Sequence, residues 1–596
     1  MNYQEREKQF RQAADQLKKR YNLLSLGRLV YFVFAIALII FLAQQHWSLA
    51  LSWTILAIAL FLWMILRHRK VQEAEQHNRH LAEVNRQEQA ALDYHFSEFP
   101  NGEQYADPLH PYSGDLDLFG PYSIFQFCNR TVTAAGSNQL AEWLKDAATP
   151  EVVLERQKAI QELAPQLDWR QHFRAYGMAQ TDEPAYQLAL QKWMDLPFFV
   201  FGKKWMRWAL WLLPIWAVAG LIVILPNFPF GLVFILILPA VLLLRQTFEQ
   251  VNLTLEYTGK AESWLQRYAV LIQQIEKLEV ETPLLQNMRG AFRNTEAQFG
   301  ASRAINQLSY YLGQLNVRNN PFAILLNLIG VWDLQWVYQL EKWKAEHRAD
   351  LHHWFAALGA MDALNSLANL HYNQPDWAFP VLHSEASLSA KQLGHPLIPG
   401  NRRIGNDLKM PTQRHLKLLT GSNMAGKSTW LRSLGVNLVL AQMGAPVCAQ
   451  AMSMPPLLVF TGMRTQDDLS ASASSFYAEL RRLRAMLDAV IAQEGQSTGV
   501  FFLLDEILKG TNSRDRHQGS RALMLQLLRH GSAGFIATHD LELTAMEAEN
   551  PGLIQNLCME VDIQGDELHF DYTLKPGISQ SFNASLLMRR MGIGVD

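Results

Sequence analysis

The stretch Leu416-Lys-Leu-Leu-Thr420-Gly421-Ser422-Asn423-Met424-Ala425-Gly426-Lys427-Ser428-Thr429 decides the fold of the C-terminal third. Residues 416–419 read as a short, mainly apolar strand. A glycine loop follows, and residues 429–440 carry the pattern of a helix. Strand, loop and helix in that order are the context in which GxxxxGK[ST] grips phosphate. The glycines let successive backbone N–H groups converge on phosphate oxygens at a helix N-terminus. Lys427 then reaches the β- and γ-phosphates and the Ser428 hydroxyl ligates Mg²⁺. Residues 421–429 are therefore the candidate nucleotide-binding set, with ATP and Mg²⁺ the cofactors they imply.

Two further segments carry the rest of the chemistry. Residues 499–504 (GVFFLL) form a buried strand that ends on Asp505 and Glu506. Carboxylates at a strand end suit a division of labour in which Asp505 completes the Mg²⁺ shell and Glu506 orients or deprotonates the attacking water. Residues 534–538 are another apolar strand, ending at His539, where a γ-phosphate would be sensed. The pattern after Ala386 alternates short β-type and helical runs, so 386–596 is expected to be a doubly wound α/β domain of the P-loop ATPase class. Its candidate catalytic residues are Lys427, Glu506 and His539, and its candidate metal ligands are Ser428 and Asp505.

The remainder of the 596-residue chain is of a different character. Charged residues make up 18% and apolar ones 49%, a balance that leans towards an integral membrane protein, while the net charge of −2 excludes no partner. Three cysteines without CxxC or Cys/His spacing argue against a disulfide framework or structural zinc. Residues 29–66 hold 38 positions without Lys, Arg, Asp or Glu, broken by Gln44-Gln45-His46, and residues 208–244 hold 37, broken at 226–229. At about 20 residues per crossing, each run predicts a transmembrane hairpin. Lys18, Lys19, Arg20, Arg28, Arg67, Arg69 and Lys70 flank the first run; Lys203, Lys204, Arg207 and Arg245 flank the second. By the positive-inside rule, both turns face outwards from the inner (cytoplasmic) membrane and the soluble parts are cytoplasmic. Residues 1–28 then form a cytoplasmic N-terminal segment. Residues 71–114 form a helical spacer and a loop: 71–92, rich in Gln, Glu, Arg and Ala, read as a solvated helix leaving the membrane, and a loop-rich stretch follows. Residues 115–370 form a helical domain interrupted by the second hairpin at 208–244. The apolar stretch 321–338 contains Asp333 and reads as a buried or membrane-surface helix instead of a fifth crossing.

These motifs together resemble the MutS family of ATPases, the DNA mismatch repair proteins and their relatives. Residues 420–429 are similar to the family's TGPNMGGKST, residues 505–513 (DEILKGTNS) to DEIGRGTST, and residues 537–539 to its ATH switch. Residues 466–476 (QDDLSASASSF) resemble its DDLASGRSTF signature, and in that register Ser474 is the serine that reaches the γ-phosphate of the opposing subunit. More weakly, residues 129–133, 140–144 and 155–157 resemble the start of the MutS core, or lever, domain. The resemblance implies a helical lever feeding a dimerising ATPase head, a homodimer with two composite sites, and DNA as a candidate partner. Nothing before residue 115 resembles the mismatch-recognition domain. Residues 115–353 are about 239 positions, of which the hairpin takes about 40, so room for a DNA clamp is scarce. Where relatives place an adenine-stacking aromatic, this chain has Arg403, whose guanidinium could stack on a base or serve a salt bridge. Two functions follow: a membrane-anchored ATPase coupled to mismatched or structured DNA, or an ATP-driven mechanical or signalling protein that acts on a protein partner or the membrane without DNA. An ABC-type transporter half is less well supported, because no LSGGQ-like stretch is present.

The topology is testable by cysteine labelling of single-site variants in intact cells. A cysteine at Pro229 should react with an impermeant reagent from outside and one at Asp596 only after lysis; the reverse result at either position refutes the four-crossing arrangement.

Overall fold

The computed structural model describes residues 3–580 apart from 180–181, 183, 225–229, 294–299, 322, 423, 464–474, 497 and 565–566. Uncharged apolar text favours helices, which satisfy every backbone group within the segment. Accordingly, the N-terminal ninety residues form two long helices, Tyr3–Gln45 and Trp47–Leu92, folded back on each other at His46. Their seam holds Phe32 against Phe61 and a hydrogen bond from Tyr31 to the Ala57 carbonyl at 3.1 Å. Helices Lys204–Ile224 and Phe230–Thr258 form the second pair. Among the described residues, four helices are long and apolar enough to cross a membrane, two in each pair. Leu29, Phe32, Trp63, Trp208, Trp211 and Ile215 are exposed on them.

The first pair departs from the sequence reading. Residues 3–28 are no separate element, since helix Tyr3–Gln45 runs unbroken through them into the apolar run. Nor is 71–92 a solvated spacer: Leu81, Val84, Asn85 and Glu88 are buried, and the helix packs against Leu167–Gly177. These four sit at i, i+3, i+4 and i+7, one helical face, diluted in sequence by Gln, Glu and Arg on the other faces. Glu88 is the polar centre of that face. Its carboxylate accepts from Arg130 Nε at 2.7 Å, from Arg174, and from the amides of Asn369 (2.9 Å) and Asn373 (3.0 Å). Burial alone would raise its pKa, but Arg130 and Arg174 hold it down to about 2. The start of the first helix docks beside it, with Tyr3 donating to Asn373 at 2.7 Å and Arg6 pairing with Asp168 at 2.5 Å.

The helical domain is built around Trp332–Asn373, 42 residues and so about 63 Å long. Helices Ala134–Lys145, Pro150–Leu163 and Ala301–Asn316 pack along it. Thr133 caps the first of these by accepting from the Gly136 N–H at 3.0 Å. The stretch 321–338 is not one helix. A short helix, Ala323–Gly330, ends at Val331, whose φ of 45° turns the chain into the long one.

The α/β part holds a sheet of six strands among the described residues, in the order Lys575–Pro576, Ile554–Met559, His415–Gly421, Ala533–Ala537, Gly499–Asp505, Leu457–Gly462. All neighbours are parallel except the first pair. A smaller sheet of Val381–Leu382, Ala451–Met454, Ser387–Leu393 and Asn406–Pro411 flanks it. The strand that leads into the phosphate loop, His415–Gly421, thus lies centrally, and a buried run on both faces is what a covered parallel sheet demands. One core continues from this sheet into the helical domain. Leu116 packs so closely on Gly435 that a Cβ there would lie 2.6 Å from it. Buried Asp115 accepts from Thr461 Oγ1 (2.7 Å) and Met463 N (3.2 Å) and pairs with Arg482 (2.7 Å).

Removing the Glu88 carboxylate leaves two guanidinium groups buried and uncompensated, which costs about 3–5 kcal/mol. Glu88→Ala should therefore lower the thermal unfolding temperature of the detergent-purified protein sharply. The sign with pH follows from the depressed pKa. Stability from this carboxylate is present above its unfolded value of 4.5 and is lost as pH falls towards about 2. A variant as stable as the parent would show that the network is not the junction described.

Candidate functional site

Three adjacent parallel strands bring the predicted residues to one end of the sheet. His415–Gly421 delivers the phosphate loop, Ala533–Ala537 beside it delivers His539, and Gly499–Asp505 next to that delivers Asp505 and Glu506. This is where a doubly wound sheet places a ligand, outside the carboxyl ends of its strands. The loop needs left-handed backbone at Gly426 (φ 99°), which caps helix Lys427–Met443, and a Cβ there would lie 2.9 Å from the Tyr572 ring. Ser422, Met424, Gly426, Lys427, Ser428 and Thr429 line a cleft of about 450 Å³, with Gly421 and Ala425 buried behind it. Asn423 lies outside the described residues.

Lys427 is buried and folds back on the loop, its Nζ donating to the carbonyls of Gly421 (2.7 Å) and Ser422 (3.1 Å). Burial lowers its pKa, and the carboxylates of Asp505 and Glu506 oppose that. A cation held by two weak neutral acceptors in a desolvated loop is poised to exchange them for anionic phosphate oxygens. The Ser428 hydroxyl hydrogen-bonds Asp505 Oδ2, while Asp505 Oδ1 is buried with no hydrogen-bond partner among the described residues. A hydroxyl and a carboxylate in contact, with one carboxylate oxygen left over, form a hard oxygen donor set that fits Mg²⁺. When bound, that ion would neutralise charge on the β- and γ-phosphates.

Glu506 occupies left-handed backbone (φ 50°), and its N–H donates to the Ala537 carbonyl at 2.9 Å, which fixes the turn after the strand. Its side chain bridges His539 Nε2 (2.8 Å) and Lys509 Nζ (2.9 Å). The hydrogen bond from His539, followed by the one from Lys509, pulls its pKa down to about 2 against the effect of burial. So acidic a carboxylate orients water well but accepts a proton poorly, and withdrawal of His539 towards a phosphate would restore its basicity. His539 Nε2 also stands 3.4 Å from Lys427 Nζ, which places the histidine between the water-handling and phosphate-handling groups.

Two predicted residues are not brought into this cluster. Ser474 lies outside the described residues, immediately before helix Ser475–Ala492. The assignment of Arg403 to the base needs correction. Its guanidinium donates to the Ile398 carbonyl (2.7 Å) and the Tyr94 hydroxyl (2.5 Å) and lies over Trp377, so it ties the small sheet to the loop 93–121. Its neighbours Arg402 and Ile404 line the cleft instead, with His395, Ile398 and Tyr572. Asn406 positions Tyr572, donating to its carbonyl at 3.0 Å and accepting from Leu574 N at 2.7 Å. Place in the motif marked Arg403, whereas the turn that aims Arg402 inwards has no local signature. Lys509 also escaped the sequence reading. Its position three residues after Glu506 in a turn was the available signal.

Residues 417–586 match MutS domain V. The chain is 31% identical over 227 residues to the DNA mismatch repair protein MutS of Thermotoga maritima, covering 37% of this chain and 27% of that one. It is 30% identical over 224 residues to that of Aquifex pyrophilus, covering 37% and 25%. With that of Natronomonas pharaonis it shares 31% over 231 residues, covering 38% and 26%. The aligned region thus spans about a quarter of the length of these relatives.

Two variants separate the roles assigned by this geometry. Lys427→Ala should abolish binding of a fluorescent ATP analogue. Glu506→Gln should bind it normally and turn over at least about 100-fold more slowly, the lower range for losing a positioned base. Unchanged turnover in Glu506→Gln would move water activation to another group.

Proposed function

On the premise that the C-terminal part of this chain belongs to the MutS family, we propose that the protein is an ATPase held in the cytoplasmic membrane by two helical hairpins, which binds and hydrolyses Mg·ATP as a homodimer. The observation that carries the reading is the convergence of Lys427, Ser428, Asp505, Glu506 and His539 at the ends of three neighbouring strands. In this reaction Lys427 and the loop N–H groups hold the β- and γ-phosphates, Ser428 and Asp505 hold the metal, and Glu506 orients the water. The γ-phosphate draws His539 away from Glu506, so water activation waits for nucleotide. Ile398, Ile404, Arg402 and Tyr572 form the wall against which the base rests. Ser474 of each subunit completes the other subunit's site. The head drives the helical domain as a lever, and DNA of mismatched or otherwise distorted structure is the partner that the relatives' names suggest.

A second reading is favoured by one feature of the fold. The long helix Trp332–Asn373 runs without interruption from the second hairpin to the α/β domain, and near its start Glu341 and Lys344 grip residues 193–201, which lead into that hairpin. A stroke of the head would then act on the membrane or a protein in it, without DNA. Titrating DNA binding against salt with the detergent-purified protein separates the two. A steep fall in affinity with rising salt marks phosphate contacts. No binding at low salt in either nucleotide state leaves the mechanical reading.

The composite site is tested by mixing. Ser474→Arg and Lys427→Ala should each be inactive as homodimers. A mixed dimer carries both lesions at one interface and neither at the other, so each mixed dimer should recover up to about half the parental turnover if the sites act independently. Activity in Ser474→Arg alone, or turnover that persists in demonstrably monomeric samples, refutes the shared site.

A further inference from the structure

The short helix Ala323–Gly330 (AILLNLIG) carries no charge and one polar side chain, Asn327. Ile324 is 68% exposed and Leu325 58%, and Leu326 joins them. Such a contiguous apolar face marks an interaction surface. Its surroundings say what covers it. The helix packs against both helices of the second pair, Lys204–Ile224 and Phe230–Thr258. Where it turns into the long helix, Gln335 donates to the Leu210 carbonyl at 2.9 Å and Arg318 lies 4.9 Å from the Phe248 ring. Leu210 belongs to the uncharged run 208–244 and Phe248 lies four residues past its end. The corner is therefore level with the end of the hairpin nearer the helical domain.

That level has the composition of a membrane boundary. Tyr310, Tyr311, Trp332 and Trp336 form one ring cluster, and Trp205, Trp208 and Trp211 are exposed on the adjoining helix. Aromatic side chains with one polar atom collect at headgroup depth. The polar groups of the corner face inwards. Asn327 accepts from the Asp333 N–H at 3.0 Å, Asp333 pairs with Arg318 at 3.3 Å, and the Trp332 indole donates to the Gln314 carbonyl at 2.9 Å. What remains outside is hydrocarbon. Eight residues span about 12 Å, too short to cross a bilayer but enough to lie in one leaflet.

We propose that Ala323–Gly330 is a foot immersed in the leaflet on the side of the helical domain, its exposed face covered by phospholipid acyl chains just below the headgroups. This rests on the reading that the second hairpin spans the membrane. The long helix that reaches the α/β domain then starts on lipid, held at that angle by Val331.

The test uses nitroxide labels on the full-length protein in phosphatidylcholine–phosphatidylglycerol vesicles. Labels go at Ile324→Cys and Leu325→Cys, with Trp216→Cys reporting the hairpin and Leu109→Cys, at an exposed loop site, reporting water. The three native cysteines are buried, and retained ATP hydrolysis checks the fold of each variant. Collision with oxygen should exceed collision with a water-soluble nickel chelate at 324 and 325, as at 216, and the order should reverse at 109. If 216 is lipidic while 324 and 325 favour the chelate, the foot is refuted and the spanning hairpin stands. If neither collider reaches 324 and 325, protein covers that face and the foot is equally refuted. If 216 itself favours the chelate, the spanning reading fails and takes the foot with it.

Discussion

A single buried carboxylate ties the architecture together. Glu88 sits on a helix whose other end is uncharged and mainly apolar, and its four partners come from the entry to the helical domain (Arg130), from helix Leu167–Gly177 (Arg174) and from the last turns of the long helix (Asn369 and Asn373). Segments nearly three hundred residues apart thus converge on two oxygen atoms. Charge buried at this depth is weak evidence for stability as such, because desolvation offsets most of the attraction. Its value is geometric. Only one mutual placement of these helices satisfies both guanidinium groups and both amides, so the first hairpin is joined to the helical domain in a defined orientation.

The second fixed relation is between that domain and the nucleotide cleft. Asp115 belongs to the loop that opens the helical domain, yet it is satisfied by Thr461 and Met463 at the end of a sheet strand and by Arg482 on the helix after residues 464–474. Displacement of that helix acts on the helical domain through Arg482, which pairs with buried Asp115 and donates to the Pro111 carbonyl. Arg403, bonded to Tyr94 and Ile398, makes a parallel tie from the small sheet to the same loop. The small sheet and the helix after residues 464–474 thus both hold on to residues 93–121, a segment that supplies no candidate site residue.

The candidate site was legible because its parts are local. A phosphate loop, a strand ending in two carboxylates and a strand ending in histidine are each specified within ten residues, and parallel pairing of three apolar strands is enough to assemble them. The two uncharged runs were equally plain. What escaped were relations between distant residues. Helix 71–92 reads as solvated since one buried face in a long polar helix leaves few apolar letters, and Glu88 is a charged letter in a core position. Arg403 looked like a base-stacking residue by its place in a motif, although a one-residue difference in aim, set by Tyr94 more than three hundred positions away, hands the cleft to Arg402. The break after Gly330 puts its left-handed turn on β-branched Val331, where the local rule would expect the glycine itself to take it.

The long helix Trp332–Asn373 determines how force would travel between these parts. Glu341 accepts three backbone N–H groups, from Phe199, Val200 and Phe201 at 2.6–2.9 Å, and Lys344 donates to the carbonyls of Trp193 and Leu196. Burial raises the pKa of the carboxyl against those three donors and lowers that of the ammonium to about 8, so both groups depend on these partners for their charge. Separating the clamp would leave two buried charges of the long helix, Glu341 and Lys344, without their backbone partners, at a cost of about 1.5–3 kcal/mol for each hydrogen bond lost. Coupling between a ligand site and a distant site typically amounts to about 1–3 kcal/mol. A stroke of that size driven by nucleotide would thus be smaller than the cost of letting go. The entry to the second hairpin must move with the helix as one body, and the freedom in the system is left to the ties that are partly exposed, above all the pairing of Arg482 with Asp115 beside the cleft.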